Sequence, residues 1–195
     1  MEFHFDFDRS LQASAFLLEL EDGSMDYIRL LKLLYIAERE LLAQDASPLT
    51  GDVCKAMEYG PVLSTVYDII MDRNWRSADW ENFIKLKKYT VHLASDPGRG
   101  NLSACVIDKL KEVSHRYQDM NNWKLVDETH KFGEWIKNYP GGGSAVIPLE
   151  DILEAMHAEE GTLEAIREEV AIRRQMEQII ETSRAKLSSE AQVAP

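Results

Sequence analysis

The strongest periodic signal in the chain lies between Met25 and Gln44. Apolar residues recur there at spacings of three and four, as they do on one face of an α-helix. The stripe consists of Ile28, Leu31, Leu34 and Tyr35, and it is broadened by Leu30, Leu33 and Leu41. A stripe this wide predicts a central helix that other elements contact on several sides.

Weaker versions of the same period predict further helices before and after this one. They are expected at Arg9–Glu21, Pro61–Asp72, Ser103–Tyr117, Asn122–Asn138 and Ile147–Glu160. Proline suits the first helical position, because the N–H that it lacks would have no partner there. Pro61 and Pro148 are therefore expected at helix starts.

One segment, Tyr89–Leu93, has the β-branched and aromatic composition of a strand. An isolated strand needs a partner, and we expect either Asp52–Tyr59 or a strand that returns after the turn to supply it. The sequence thus predicts a mainly α fold, a compact helical domain of about six helices with a minor short β element.

A last, highly charged amphipathic helix is predicted from Leu163 to about Leu187. We therefore divide the chain into a helical domain, residues 1–158, and a C-terminal extension with a tail, residues 159–195. The apolar side of the extension could lie in a partner's groove, pair with a second copy of itself, or fold back on the core. The sequence leaves all three open.

The charge of the chain narrows the range of partners. Hydrophobic residues make up 45% of the chain, and the formal net charge is −12. Nucleic-acid binding needs clustered Lys and Arg, whereas the main basic stretch, Phe83–Tyr89, holds only three lysines. We therefore do not expect a nucleic-acid partner. The surplus of acid either attracts a basic protein partner or keeps the protein soluble, and both readings stay open.

The compartment follows from cysteine use and hydropathy. Cys54 and Cys105 each stand alone, which fits a reducing cytoplasm. The N-terminal sequence is unlike a signal peptide, and no apolar run approaches the roughly 20 residues that a membrane span needs. We expect a cytoplasmic protein that does not enter a membrane.

The sequence contains no recognisable catalytic, cofactor-binding or metal-binding motif. No histidine has a second histidine three or four residues away, and phosphate-loop, dinucleotide and nucleophile-elbow patterns do not occur. The glycine run Pro140–Ser144 is interpreted as a linker. His130 is interpreted as a packing residue, although a nucleophile pair with Cys54 or Cys105 would form if the fold brought them together. We therefore expect no catalytic residue, no cofactor and no metal.

Four motifs occur in a characteristic order: "LLKLLYIAE" (Leu30–Glu38), "PLTGDVCKAMEYGPVLSTVYD" (Pro48–Asp68), "ETHKFGEW" (Glu128–Trp135) and "IPLEDILEAM" (Ile147–Met156). Together they resemble the SocA-like antitoxin family, also called the Panacea domain, over about residues 25–158. The resemblance gives a structural role to the signature residues Tyr35, Tyr59, Gly60, Pro61, Tyr67, Thr129, His130 and Trp135.

The resemblance implies an antitoxin, a small cytosolic protein that is encoded beside a toxin and neutralises it by binding. Such domains accompany unrelated toxins and occur in prophages and mobile elements, so the identity of the toxin stays open. One alternative is an adaptor that delivers a toxin to a AAA+ protease. An alternative from another class is a small hydrolase or nucleotide-binding enzyme that uses His130.

Two regions are candidates for binding the toxin, and a homodimer is also possible. Interfaces are enriched in aromatic residues, and the loop and strand region from Trp75 to Tyr89 mixes aromatic side chains with lysines. The second region is the apolar side of the last helix. The candidates are Trp75, Trp80, Lys85, Lys87, Tyr89, Ile166, Val170, Met176 and Ile179.

Overall fold

A long, buried helix forms the centre of the fold. The computed structural model describes residues 3–159, 161–168, 170–172, 175 and 179. In chain order its elements are α1 (Phe7–Leu20), β1 (Ser24–Asp26), α2 (Tyr27–Asp45), β2 (Cys54–Met57), β3 (Gly60–Leu63), α3 (Ser64–Ile70), α4 (Ser77–Glu81), β4 (Ile84–Lys87), β5 (Thr90–Leu93), α5 (Ala104–Tyr117), α6 (Asn122–Thr129), α7 (Gly133–Asn138), β6 (Ala145–Val146) and α8 (Leu149–Ala155).

The central position of α2 agrees with the wide apolar stripe in its sequence. Every residue from Arg29 to Leu42 is buried, because α1, α5, α6, α8 and β3 all pack around this helix. The Asp26 side chain caps its N-terminus by accepting a hydrogen bond from the backbone N–H of Ile28 at 2.8 Å. The prediction of a central helix contacted on several sides is confirmed.

Two small antiparallel sheets flank the helices, in the strand orders β1-β5-β4 and β3-β2-β6. In the first, Val91 on β5 lies opposite Met25 on β1 and Leu86 on β4. In the second, Ala56 on β2 lies opposite Pro61 on β3 and Ala145 on β6. The β5 strand was predicted, but its partners are β1 and β4, whereas Asp52–Tyr59 contributes to the other sheet.

The prediction of a mainly α fold with one minor β element was therefore wrong in its β content. The described residues are helical but include notable β structure in the two sheets. Their strands have only two to four residues each. A strand this short completes barely two periods of alternation, so the sequence pattern could not distinguish it from a loop.

Pro61 is a strand residue and does not begin a helix. It lies in β3, an edge strand of its sheet, where an absent N–H removes no ladder hydrogen bond. The helix that follows begins at Ser64. The expectation at Pro148 was closer, because Pro148 is the N-cap residue of α8.

The helix predicted at Asn122–Asn138 is broken into α6 and α7. The break lies at His130–Phe132, where Phe132 has the extended dihedral angles φ −69° and ψ 127°. The second helix starts anew and carries Glu134 into the core, where Glu134 is fully buried. Helical periodicity did not reveal this break, because the break accompanies the contact of Glu134 with Arg39, which is distant in the sequence.

The beginning of the C-terminal extension packs on the domain. Residues 162–168 and 170–172 are helical. Ile166 and Val170 are buried in a small cluster with Leu42 and Leu153. The described part of this segment therefore folds back on the domain, which is one of the three alternatives that the sequence left open. None of the helices in the described part of the chain combines the length and apolar character that crossing a bilayer requires.

Five charged side chains of α2 lie in the core, and each is held by another element. Three are ion-paired: Arg29 with Glu21 at 2.6 Å, Arg39 with Glu134 at 2.8 Å, and Glu40 with both Lys109 and Arg116. Lys32 instead donates to the backbone carbonyl of Pro61 at 2.7 Å, and Glu38 accepts from the backbone N–H and the hydroxyl of Thr50.

We predict that Glu134→Gln destabilises the protein by about 3–5 kcal/mol, because it leaves the buried guanidinium of Arg39 without a counter-charge. Urea unfolding followed by circular dichroism measures the loss. The matched control is Glu128→Gln, whose ion pair with the exposed Lys131 should contribute at most about 1 kcal/mol. Equal effects of the two substitutions would contradict the structural importance of the buried pair.

Candidate functional site

A pocket of about 420 Å³ opens where the start of α2 faces the β2–β3 hairpin. Its volume lies within the range of about 300–1,000 Å³ that is usual for ligand pockets. α3 and the loop before β6 complete its walls. The lining residues are Tyr27, Ile28, Leu31, Lys32, Met57, Glu58, Tyr59, Gly60, Val62, Tyr67, Gly143 and Ser144.

Gly60 allows the hairpin to lie close to both α2 and α6. Its φ of +89° is in a region that other residues rarely adopt. A Cβ at this position would lie 2.5 Å from Oγ1 of Thr129 and 3.1 Å from Nζ of Lys32. Glycine is thus required here both by the backbone conformation and by the space, which explains the "YGP" signature.

An aromatic stack holds the hairpin turn from the other side. The ring of His130 lies 4.1 Å from that of Trp135, which in turn stacks on Tyr139 at 4.8 Å. Trp135 donates its indole N–H to the carbonyl of Met57 at 2.9 Å, and Nε2 of His130 lies 3.1 Å from the carbonyl of Glu58. Both signature residues therefore position the turn that forms one wall of the pocket.

His130 has the environment of a positioning residue. Burial lowers the pKa of its imidazole below the ordinary value, which favours the neutral ring. In the tautomer protonated at Nε2, the ring donates a hydrogen bond to the Glu58 carbonyl. Neither Cys54 nor Cys105 is its partner: Cys54 is buried in β2, and Cys105 donates to Asp45.

Lys32 lies at the inner end of the pocket. Its side chain is 1% exposed, and its hydrogen bond to the Pro61 carbonyl involves a neutral acceptor. Desolvation by burial lowers the pKa of this amine from 10.5 to about 7. Among the residues that the structure describes, Lys32 forms no ion pair, and its remaining N–H bonds have no protein acceptor.

Three tyrosines surround the pocket and two further aromatic rings extend its rim. Burial raises the pKa of Tyr27, and proximity to Tyr67, then Asp26, Tyr89 and Tyr59, raises it further. Tyr27 stacks on Tyr89 at 6.5 Å, and Tyr59 contacts Trp123 edge-on at 5.8 Å. The exposed fractions are 51% for Tyr59, 61% for Trp123 and 70% for Tyr89. The rim is an apolar surface that faces solvent.

A second pocket, of about 210 Å³, lies beside the other buried charge of α2 that lacks an ion pair. Burial raises the pKa of the Glu38 carboxyl from 4.5 to about 7. Cys54 also lines this pocket, and burial raises the pKa of its thiol well above the ordinary value, which makes it a poor nucleophile. The described part of the chain contains no group of three or more potential metal ligands.

The interface candidates from the sequence are scattered over the molecule. Tyr89 lies at the rim of the larger pocket, whereas Trp75 is 85% exposed on the loop before α4 and does not line it. Trp80 is 2% exposed and packs edge-on against Phe7 at 6.0 Å, so it offers no surface to a partner. Lys85 and Lys87 are the exposed residues of β4. In the C-terminal extension, Ile166 and Val170 are buried and Ile179 is 65% exposed. Met176 lies outside the described residues.

The signature residues divide between the core and the pocket. Tyr35 is buried and donates to Glu134 at 3.0 Å, and Thr129 is buried beside Gly60. Tyr59 and Tyr67, to which the resemblance gives a structural role, line the pocket. Sequence reasoning missed Tyr27, Lys32 and Trp123. The signal available for Lys32 was its position among leucines in the apolar stripe of α2.

Comparison with known proteins identifies one family. A family described as "Antitoxin SocA-like, Panacea domain" matches residues 30–136, which is more than half of the chain. The match includes α2 from Leu30 onwards, the β2–β3 hairpin, α6 and the beginning of α7, and so covers most of the pocket-lining residues. Searches of curated proteins and of solved structures found no significant match.

We predict that Gly60→Ala destabilises the protein by about 2–5 kcal/mol, which combines backbone strain with a clash against Thr129 and Lys32. The control is Gly23→Ala. Gly23 has a similar φ of +85°, but nothing lies within 4 Å of the added Cβ. Gly23→Ala should lower the free energy of unfolding by about 1–2 kcal/mol, from backbone strain alone. Equal losses in urea unfolding would show that Gly60 is not a close-contact position.

We also predict that Lys32 makes the free energy of unfolding vary with pH in the neutral to alkaline range. Its pKa is about 7 in the folded state and near 10.5 in the unfolded state, so between these values the unfolded state binds more protons. The free energy of unfolding should therefore rise with pH in this window, by on the order of 2 kcal/mol between about pH 7 and 9 relative to Lys32→Met. Glu38 contributes little there, because its titration in the folded state is centred near the lower end of the window.

Urea unfolding of both proteins at several pH values measures this difference. Lys111→Met removes an exposed lysine of α5, and its free energy of unfolding should change with pH in parallel with that of the unsubstituted protein. If the free energy of unfolding of Lys32→Met also changed in parallel with pH, the lowered pKa of Lys32 would be contradicted.

Proposed function

We propose that this chain, which belongs to the antitoxin SocA-like, Panacea domain family, neutralises a cognate toxin by direct protein–protein binding and without catalysis. The family match supports the antitoxin role, since it covers the elements that form the centre of the fold and the candidate site. A cytoplasmic site of action and a toxin encoded beside this chain are part of the same proposal.

The tyrosine-lined pocket and its rim are the binding face in this proposal. The observation that supports it is the clustering of exposed Tyr59, Trp123 and Tyr89 around a preformed concavity. Rigid aromatic side chains beside a pocket are typical of the residues that carry most of the energy of an interface. The net charge of −12 adds an attraction for a basic partner over the rest of the surface.

The environments of His130 and Cys54, the residues considered as a nucleophile pair, favour binding over catalysis. His130 is occupied by the Glu58 carbonyl and by the ring of Trp135. Cys54 is buried, with a thiol pKa well above its ordinary value. A general base needs to reach a substrate proton and a nucleophile needs to ionise, and these arrangements disfavour both.

The proposal predicts that co-expression with the neighbouring toxin gene restores growth, and that this rescue depends on the rim. The double substitution Tyr59→Ala with Trp123→Ala should weaken toxin binding at least about thirtyfold, because truncating two aromatic anchors costs at least about 2 kcal/mol. Growth assays and binding measurements with purified proteins check this.

The comparison variant is Trp75→Ala, which truncates an even more exposed aromatic residue that does not line the pocket. Rescue by this variant together with failure of the double variant supports the pocket as the binding face. The opposite pattern would place the interface on the loop before α4. Absence of rescue by the unsubstituted protein would refute the antitoxin proposal, and rescue that vanishes when a AAA+ protease is deleted would favour the adaptor.

A further inference from the structure

The buried charges of α2 fall into two groups. Arg29, Arg39 and Glu40 each have a charged partner on another element, as buried ions require. Lys32 and Glu38 have only neutral hydrogen-bond partners among the described residues, and each lines a pocket. The pockets thus coincide with the two positions where the helix lacks a counter-charge.

The pocket at Lys32 presents several hydrogen-bond donors, and the Glu58 carboxyl in the hairpin turn also lines it. Nζ of Lys32 makes a single bond to protein, to the Pro61 carbonyl. Within the described residues, the hydroxyl groups of Tyr27, Tyr59 and Tyr67 form no hydrogen bond. Four polar groups with unused donors therefore line a pocket whose remaining walls are largely apolar. The larger volume and the exposed rim distinguish this pocket from the one at Glu38, whose carboxyl already accepts two hydrogen bonds.

The chemistry of these groups selects among possible occupants. A purely apolar side chain would remove water from Lys32 and from the hydroxyls without replacing their hydrogen bonds, which is costly. A cation would find no counter-charge at Lys32, whose amine is either neutral or cationic. A phosphate dianion would have one lysine to balance two charges. A carboxylate has a single charge and accepts several hydrogen bonds, so it matches one lysine with neighbouring hydroxyls.

We infer that the pocket receives a carboxylate of the bound toxin, from an Asp or Glu side chain or the chain terminus, and that Lys32 pairs with it. This inference rests on the proposed antitoxin function and specifies what its binding face recognises. The aromatic rim then packs on the apolar residues around that carboxylate. A buried ion pair of this kind fixes the register of the toxin on the domain, whereas the acidic surface attracts it from a distance.

Pairing with a carboxylate also changes the protonation of Lys32. The titratable groups that face it are Tyr27 on its own helix, Glu58 and Tyr59 on the hairpin, Tyr67 on α3 and His130 after α6. At about pH 8 the amine of the free protein is largely neutral, since its pKa is about 7. A carboxylate in the pocket favours the ammonium form, so toxin binding takes up a proton. His130 is neutral at this pH, because its pKa is lowered.

Isothermal titration of the full-length protein with the purified toxin tests the inference. Measurements at about pH 8 in two buffers of different ionisation enthalpy give the number of protons taken up. We expect close to one proton for the unsubstituted protein and none for Lys32→Met, whose affinity should fall at least about tenfold. Lys111→Met, which removes an exposed lysine, should behave as the unsubstituted protein.

The toxin side of the pair is found by replacing its Asp and Glu residues singly with Asn and Gln, and by amidating its C-terminus. One of these changes should weaken binding to the unsubstituted protein but have no further effect with Lys32→Met. Tyr67→Phe keeps the ring and removes one hydroxyl, so it should weaken binding moderately even if Lys32→Met folds poorly.

The outcomes separate the inference from the proposed function. Toxin binding without proton uptake, with unchanged affinity of Lys32→Met and Tyr67→Phe, would overturn the carboxylate inference and leave the antitoxin function in place. It would also show that the pocket serves another occupant. Absence of any toxin binding would overturn both.

Discussion

The structure depends on the burial of one charged helix. From Arg29 to Leu42 every residue of α2 is enclosed, although five of these residues carry ionisable charges. A charge without a partner in the interior costs several kcal/mol, so the surrounding elements have to supply partners at defined positions. This requirement determines where α1, α5, α7 and the β2–β3 hairpin lie against the helix.

The same requirement connects stability with the candidate site. Arg39 and Tyr35 hold Glu134 in the core, and Trp135 is the next residue of the same helix, α7. Trp135 and His130 in turn fix the hairpin turn whose carbonyls they contact. A buried ion pair thus anchors the helix that holds the hairpin side of the pocket. Preformed walls lower the entropy that binding costs, which suits a recognition surface.

Part of the candidate site was accessible from the sequence and part was not. The signature segment around Gly60 was identified, and Tyr59 and Tyr67 within it do line the pocket. Lys32 was overlooked because a lysine in a helix is usually solvated, although the wide apolar stripe around it had already predicted that α2 is contacted on several sides. Trp80 looked exposed in sequence but is buried, because the composition of a loop does not reveal which aromatic ring turns inward.

The sequence alone determined the central helix, most of the other helices and the resemblance to the family, because helical periodicity and motif order are local or linear properties of the chain. Tertiary structure alone decided the two sheets, the break before α7 and the chemistry of the pocket. The bond from Lys32 to Pro61 spans 29 residues, and that from Tyr35 to Glu134 spans 99. Such pairings depend on how distant segments pack, and the burial that shifts the protonation of Lys32 exists only once they have packed.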